Sequence, residues 1–301
     1  MNSGRLISYR KFQDRAFAVL GIVCTLLGIA TLVVMFADLA IDGLGIIDWQ
    51  FMTSFSSRHA AKAGILSAWV GTLCVMAVTL FTAVPLGVAA AVYLEEYARK
   101  NWLTTLIEIN ISNLAGVPSI IYGLMALGVL VYQFHLGRSV LVGGLALAFL
   151  ILPIVIVTTR EAIRAVPSSI REAAYGVGAT KWQVIWHHLL PYSIGGIATG
   201  TIIAMSRAIG ETAPLITIGA LTSIPFLPPA PVSTQPPFVN AEWLNSPFTV
   251  LPIQMFNWIS RPGADFHRNA AATGLVLIAF TLTMNAIAIV IRYRARKRFN
   301  W

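Results

Sequence analysis

The chain has 301 residues, of which 57% are hydrophobic and only 11% are charged, and its mean hydropathy is +0.75. An ordinary soluble domain carries about 25% charged residues, so this composition excludes both a soluble enzyme and a disordered regulator. The net charge of +9 lies in short basic clusters between long apolar runs, which indicates membrane topology rather than nucleic-acid binding. The sequence therefore predicts an integral membrane protein.

Six apolar runs are long enough to cross a bilayer, which takes about 20 residues of helix. They are residues 16–41, 63–94, 103–134, 139–158, 193–222 and 269–291. None shows the alternation of a strand, so the predicted fold class is an all-α integral membrane protein with six transmembrane helices. The first run is too long for the core of a signal peptide and is kept as a span, with a cleaved signal as the alternative.

The distribution of basic residues predicts the orientation. With a cytoplasmic N-terminus, fifteen of the 21 Lys and Arg residues lie inside, five lie outside, and Arg207 falls within a span. This positive-inside bias places both termini in the cytoplasm. The predicted organisation is a cytoplasmic tail (1–15), a transmembrane domain (16–291) with an inner loop at 160–192 and an outer loop at 223–268, and a basic cytoplasmic tail (292–301).

The inner loop contains signals for two short helices. Ser169 and Glu172 fit a capping box at the start of the first helix, which should falter at Gly176 and Gly178. Thr180 should cap the second, which Pro191 would interrupt before the fifth span. The loop is either a projecting docking element or an ordinary amphipathic surface helix. His187 and His188 are adjacent and point about 100° apart on a helix, so no metal site is predicted.

The fifth span carries two charged residues. Arg207 and Glu211 are four residues apart, so they should share a helix face and can pair. Each charge costs about 3 kcal/mol at the centre of a span, so both must face protein or water. They mark either a substrate path or a structural ion pair. Small residues at four-residue steps predict a close contact with a neighbouring helix along this face (Gly196, Gly200, Ala204, Ala208 and Thr212). Glu108, near the start of span three, is predicted to be a solvated interfacial carboxylate.

The outer loop holds nine of the fifteen prolines, and its first half should be extended. Its second half, residues 248–259, is apolar but too short to span. We expect either a short helix at the membrane interface, lying free or packed under an external partner, or a loop folded over the mouth of the bundle.

The inner loop resembles that of the permease subunits of ATP-binding-cassette (ABC) importers. The matching residues are Glu172-Ala173-Ala174, Gly178 and Leu190-Pro191, and the sequence departs from the family at His188, where an isoleucine is usual. The resemblance implies a type I importer permease fold. It also implies that the loop is a coupling helix seated in a cleft of a cytoplasmic ATPase, with these six residues at the contact.

Residues 207–215 and 112–123 are similar to the phosphate-specific (Pst) permeases of this family, which lie in the bacterial plasma membrane. That resemblance implies a phosphate pathway through Ser206, Arg207, Glu211 and Thr212. The implied partners are a homologous PstC-like permease, two PstB-like ATPase subunits and an extracytoplasmic PstS-like phosphate-binding protein. The chain has no Walker A sequence, so we expect no enzyme activity and no cofactor in it, with ATP and Mg²⁺ used by the partner ATPase. Molybdate or sulfate as cargo and an ion-coupled secondary transporter are the alternatives, although the sequence has no evident inverted repeat.

Overall fold

Twelve α-helices form the protein in a computed structural model that describes residues 3–231, 238 and 240–298. Within those residues the regular structure is helical throughout, which confirms the predicted fold class. In chain order the helices are α1 (Ser3–Gly43), α2 (Trp49–Thr53), α3 (Leu66–Val92), α4 (Trp102–Leu114), α5 (Ser119–Ala126), α6 (Val140–Arg164), α7 (Ser168–Gly176), α8 (Lys181–Val184), α9 (Leu190–Ile209), α10 (Ala213–Ile218), α11 (Leu251–Ile259) and α12 (Ala264–Arg298).

Five helical stretches of the described chain are long and apolar enough to cross a membrane, and a bent pair of helices makes the sixth. The five are α1, α3, α6, the continuous stretch from α8 to α9, and α12. The six predicted spans are therefore confirmed in number. We call the side of the bundle that carries α7 and α8 the basal face, and the side where α6 begins the distal face.

The prediction of one continuous helix over residues 103–134 is wrong. Helices α4 and α5, the latter continued by a π turn to Gln133, meet at an angle of 105°. Pro118 causes the break, since proline disfavours helical geometry in the residue before it and its own ψ is 133°. The hydroxyl of Tyr122 donates to the carbonyl of Leu114 (2.7 Å), which satisfies a free acceptor where α4 ends.

Glycines bring the central helices into close contact. A Cβ on Gly196 would lie 2.5 Å from the Ala162 Cβ, and one on Gly200 would overlap the side chain of Thr158. Helix α9 therefore packs directly on α6, as the small residues predicted. Beyond them Ala204 and Ala208 are buried in the core that α3, α6 and α9 share, but Thr212 lies past the end of the helix.

The second half of the outer loop forms the predicted short helix, and that helix packs into the bundle instead of lying free on it. The ring of Phe248 lies against Gly143 of α6, and the carbonyl of Thr249 lies against Gly71 of α3. Helix α11 follows, and its first amide, at Leu251, donates to the Thr72 hydroxyl (3.0 Å). The segment is buried because glycines on α3 and α6 leave room for its backbone. Residues 223–231 contain no helix, as predicted, whereas 232–237 and 239 lie outside the described residues.

Candidate functional site

Helix α9 ends between the two charged residues of the fifth span. Its last residue is Ile209, and the amide of Glu211 donates to the carbonyl of Ala208 (3.2 Å) in the turn that follows. The prediction that Arg207 and Glu211 share one helix face is therefore wrong. Neither takes part in any of the five ion pairs that the described residues form. The break explains both findings, because residues four apart lie on one face only in an unbroken helix.

Arg207 lies near the middle of the bundle. Gly196 lies against Ala162 and Gly200 against Thr158, so four residues forward along α9 correspond to four residues back along α6. Two further steps bring Ala208 level with Leu150, and both are buried in one core. At 1.5 Å per residue, that level is about 15 Å from the distal end of α6 and about 21 Å from its basal end. Arg207 is exposed at this depth in the isolated chain. A charge there requires water, an anion or another protein surface.

Helix α5 of the bent span, the third in chain order, packs against the start of α10, just after the break in the fifth span. A Cβ on Gly123 of α5 would lie 2.6 Å from the Pro214 Cα at the start of α10, and it would overlap the Thr217 hydroxyl. Pro214 follows Glu211 by three residues and Thr212 by two. The bent span therefore lies beside the break that holds Glu211 and Thr212.

Ser206 and Thr212, the other predicted pathway residues, have different surroundings. The Ser206 hydroxyl lies 2.7 Å from Asn285 Oδ1 on α12, to which it donates, so it faces a helix of the bundle. Thr212 precedes α10, and its carbonyl accepts the amides of Leu215 (3.1 Å) and Ile216 (2.9 Å). Only Thr212 lies in the break with Glu211.

The first helix of the inner loop begins at Ser168, before the predicted cap at Ser169. Helix α7 starts at Ser168 after Pro167, with no side-chain cap, so the predicted capping box of Ser169 and Glu172 is wrong. Pro167, with its φ near −55°, already sets the helical entry, and Ser169 falls inside the first turn. Glu172 is exposed and available to a partner.

The other residues predicted to contact the ATPase divide into an exposed set and a buried set. Ala173 is exposed, whereas Ala174 is buried and Leu190 packs against the same small core at the basal face. Helix α7 ends at Gly176 as predicted, and Gly178 has a φ of +85°, which favours glycine. The structure therefore places Glu172, Ala173 and Gly178 on the surface and uses Ala174 to hold the loop to the bundle.

The second helix of the loop has the predicted cap but no interruption. The Thr180 hydroxyl accepts the Gln183 amide (3.4 Å), and Gln183 Oε1 accepts the Thr180 amide (2.8 Å), forming a capping box. The prediction that Pro191 breaks the helix is wrong, since a π turn over Ile185–Leu189 joins α8 to α9. The wider π turn accommodates a proline, which cannot donate an amide to the preceding turn.

Two features of the basal face were missed by the sequence analysis. Trp182 and Trp186 stack with ring centroids 5.6 Å apart, and both are exposed; their four-residue spacing was the available signal. Glu108, predicted to be solvated, is 36% exposed but also paired, since its Oε1 accepts from Arg160 Nη2 at 2.6 Å. No local signal could reveal this pair, since its members are 52 residues apart.

The sequence matches known membrane proteins over most of its length. The model of the family "binding-protein-dependent transport system inner membrane component" matches residues 83–300. A probable ABC transporter permease protein, YqgI of Bacillus subtilis, is 31% identical over 283 residues, covering 93% of this chain and 95% of that protein. The phosphate transport system permease protein PstA of Yersinia pestis is 32% identical over 290 residues, covering 94% of this chain and 91% of that protein. PstA of Xylella fastidiosa (strain Temecula1) is 30% identical over 299 residues, covering 96% of each chain.

A solved structure has the same fold. It is a chain of a bacterial alginate ABC transporter in complex with a periplasmic protein bound to an alginate pentasaccharide. The two chains superpose with a TM-score of 0.63 over 93% of each, at 14% sequence identity. At that identity the likeness extends to the fold alone.

Proposed function

The chain belongs to the family of inner membrane components of binding-protein-dependent transport systems, and we propose that it is a permease subunit of an ATP-driven importer of inorganic phosphate. The observation that carries the cargo assignment is its similarity, at about 30% identity over more than nine tenths of the chain, to proteins named as phosphate transport system permeases. The protein is a multi-pass membrane protein, and the proposal gives it one half of the translocation pathway.

Arg207 provides the chemistry for an oxyanion at the centre of the membrane. A hydrogenphosphate ion that enters a narrow pore loses water, and a fixed cation replaces part of that solvation. A guanidinium stays charged and presents a fork of donors that matches two oxygens of the ion. Glu211, in the break that follows α9, lowers the net positive charge of the region when the pore is empty and can accept a hydrogen bond from the P–OH group. Thr212 and Ser206 complete the proposed pathway.

The basal face is the proposed contact with the ATPase. Glu172, Ala173 and Gly178 form its exposed part, Ala174 and Leu190 hold the loop against the bundle, and Pro191 follows in the first turn of α9. The basal face is then cytoplasmic, and both termini lie on that side. The partners are a homologous permease, which supplies the other half of the pore, two ATPase subunits that bind ATP and Mg²⁺, and an extracytoplasmic phosphate-binding protein.

Reconstitution tests this function directly. The chain, co-expressed with a PstC-like permease, a PstB-like ATPase and a PstS-like binding protein of the same organism, is purified and inserted into proteoliposomes that contain ATP. We expect uptake of radiolabelled phosphate that depends on ATP and on the binding protein. Equal competition by sulfate or molybdate would reassign the cargo, and uptake without ATP would favour a secondary transporter.

A further inference from the structure

All five ion pairs that the described residues form lie in one cluster at the basal face. We call it the basal ion-pair cluster, and its members are Glu95, Glu96, Glu108, Glu161, Arg160, Arg164 and Arg171. Four of the pairs join different elements, namely the π turn Tyr93–Tyr97 at the end of α3, α4, α6 and α7. The proposed phosphate pathway and the proposed ATPase contact lie on either side of this cluster.

Arg171 lies on α7, which we call the docking helix, and connects it to two other elements. Its Nη2 donates to Glu96 Oε1 on the π turn (3.2 Å) and to the carbonyl of Ile163 (3.1 Å). Its Nη1 donates to the carbonyl of Val166 (3.0 Å), beyond the end of α6. Arg171 directly precedes the exposed Glu172, so a residue of the proposed ATPase contact and the anchor of the helix are adjacent in the chain.

Glu95, the neighbour of Glu96, binds a different helix. Its carboxylate accepts from Arg164 Nε (2.9 Å) and from Arg160 Nε (3.4 Å), both on α6. Arg160 also donates to Glu108 of α4 at 2.6 Å. Since α4 is the basal half of the bent span, one series of ion pairs runs from the docking helix through the π turn and α6 to the helix that ends at the Leu114 break.

Burial of the central side chains favours a stiff connection, whereas Glu108 and Arg164 at its edge are 36% and 47% exposed. The side chains of Glu96, Arg160 and Arg171 are 11%, 9% and 21% exposed. An ion pair shielded from water resists separation, because each partner would be left without a counter-charge. In contrast, the Glu161–Arg164 pair lies within one helix and is 67% and 47% exposed. It joins no two elements and is the natural control.

We infer that Arg171 and Glu96 are positioning residues of transport, which transmit displacement of the docking helix α7 to α3 and, through Glu95, Arg160 and Glu108, to the bent span beside the break that follows α9. The π turn follows α7 when the ATPase moves the loop, because the Arg171–Glu96 pair holds the two together. The π turn is suited to such a role, because π segments are irregular helical turns that often occur at functional sites. This inference rests on the proposed function.

The test separates ATP hydrolysis from transport in the reconstituted complex. Glu96→Gln, Arg171→Gln and the double variant are compared with wild type and with Glu161→Gln, and the readout is phosphate taken up per ATP hydrolysed. We expect Glu96→Gln and Arg171→Gln to lower this ratio about fivefold or more while hydrolysis continues. The double variant should be no worse than the more severe single one, because the two residues act as a pair.

Wild-type ratios in both single variants, or losses in them that add in the double variant, would overturn the inference. An equal loss of uptake per ATP in Glu161→Gln would also overturn it, because the loss would then be a general effect of removing charge at the basal face. If a single variant does not assemble, Glu96→Asp, which keeps the charge and shortens the side chain by one methylene, is measured by the same ratio. An absence of phosphate uptake by the wild-type complex would instead refute the proposed function.

Discussion

The backbone of Pro214 lies against Gly123, with 2.6 Å between the Pro214 Cα and the position of a Cβ on Gly123. Two interrupted spans thus touch in the helical segment that follows the break in each. A side chain at Gly123 would push α5 away from α10, and overpacking of this kind costs about 1–3 kcal/mol. We expect Gly123→Ala to lower both phosphate uptake and the melting temperature of the complex. Gly128→Ala, on the same span with no atom of the described chain within 4 Å, is the control and should have no effect.

Arg207→Gln should abolish phosphate uptake while the complex still assembles and binds ATP. A loss of about 3 kcal/mol of interaction with the anion would already reduce uptake about a hundredfold. Proteoliposomes at matched complex levels provide the measurement. Arg294→Gln, an exposed arginine of α12, is the control. Wild-type uptake by Arg207→Gln would mean that this arginine is structural.

Glu211→Gln should relax selectivity rather than prevent assembly. The carboxylate can accept a hydrogen bond from the P–OH group of hydrogenphosphate, and fully ionised sulfate has no proton to offer. The substitution also removes a negative charge that repels doubly charged sulfate. We therefore expect sulfate to inhibit phosphate uptake more strongly in this variant than in wild type. An unchanged inhibition constant for sulfate would contradict the role, and Glu161→Gln serves as the exposed carboxylate control.

Gly178→Leu should uncouple transport from ATP hydrolysis. Gly178 has a φ of +85° and no neighbour within 4 Å, so the substitution acts through the backbone and not through a clash. A left-handed conformation costs other residues about 1–2 kcal/mol, which favours a rearranged loop. Gly176→Leu is the matched control, since a side chain at Gly176 would equally meet no neighbour within 4 Å but the residue has helical backbone geometry. Uptake per ATP should fall only in Gly178→Leu, and a normal ratio there would remove this glycine from the coupling contact.

A cysteine at Val177 should resist a membrane-impermeant thiol reagent added outside intact cells. Val177 is 86% exposed on the basal face, so protection would report its side of the membrane and not its burial. A cysteine at Trp49, which is 82% exposed just after α1 reaches the distal face, should be labelled. Both are placed in a background without Cys24 and Cys74, the two native cysteines.

The C-terminal tail gives a second test of the same orientation. A cysteine at Asn300, which lies outside the described residues, should also be protected. Anionic headgroups of the inner leaflet attract the basic residues that precede it by about 1 kcal/mol per charge. Labelling at Asn300 or at Val177 from outside would overturn the proposed topology.

The sequence by itself determined the features that depend on neighbouring residues. Runs of about 20 apolar residues define spans wherever they occur, because an unpaired backbone is too costly in lipid. Thr180 caps its helix, and Gly178 turns the loop, through contacts within four residues. The small residues Gly196 and Gly200 similarly indicated a close helix contact, although they could not identify α6 as the partner.

Only the tertiary structure decided how distant parts meet. The buried segment that leads into α11 depends on Gly71 and Gly143, which become a groove only after α3 and α6 pack side by side. Arg160 could have paired with any carboxylate, and its distance from Glu108 followed from the bend between α4 and α5. A four-residue spacing suggested that Arg207 and Glu211 share a face, but the helix ends at Ile209. Residue spacing determines side-chain neighbours only within an unbroken element, whereas the ends and contacts of elements depend on the packing of the whole bundle.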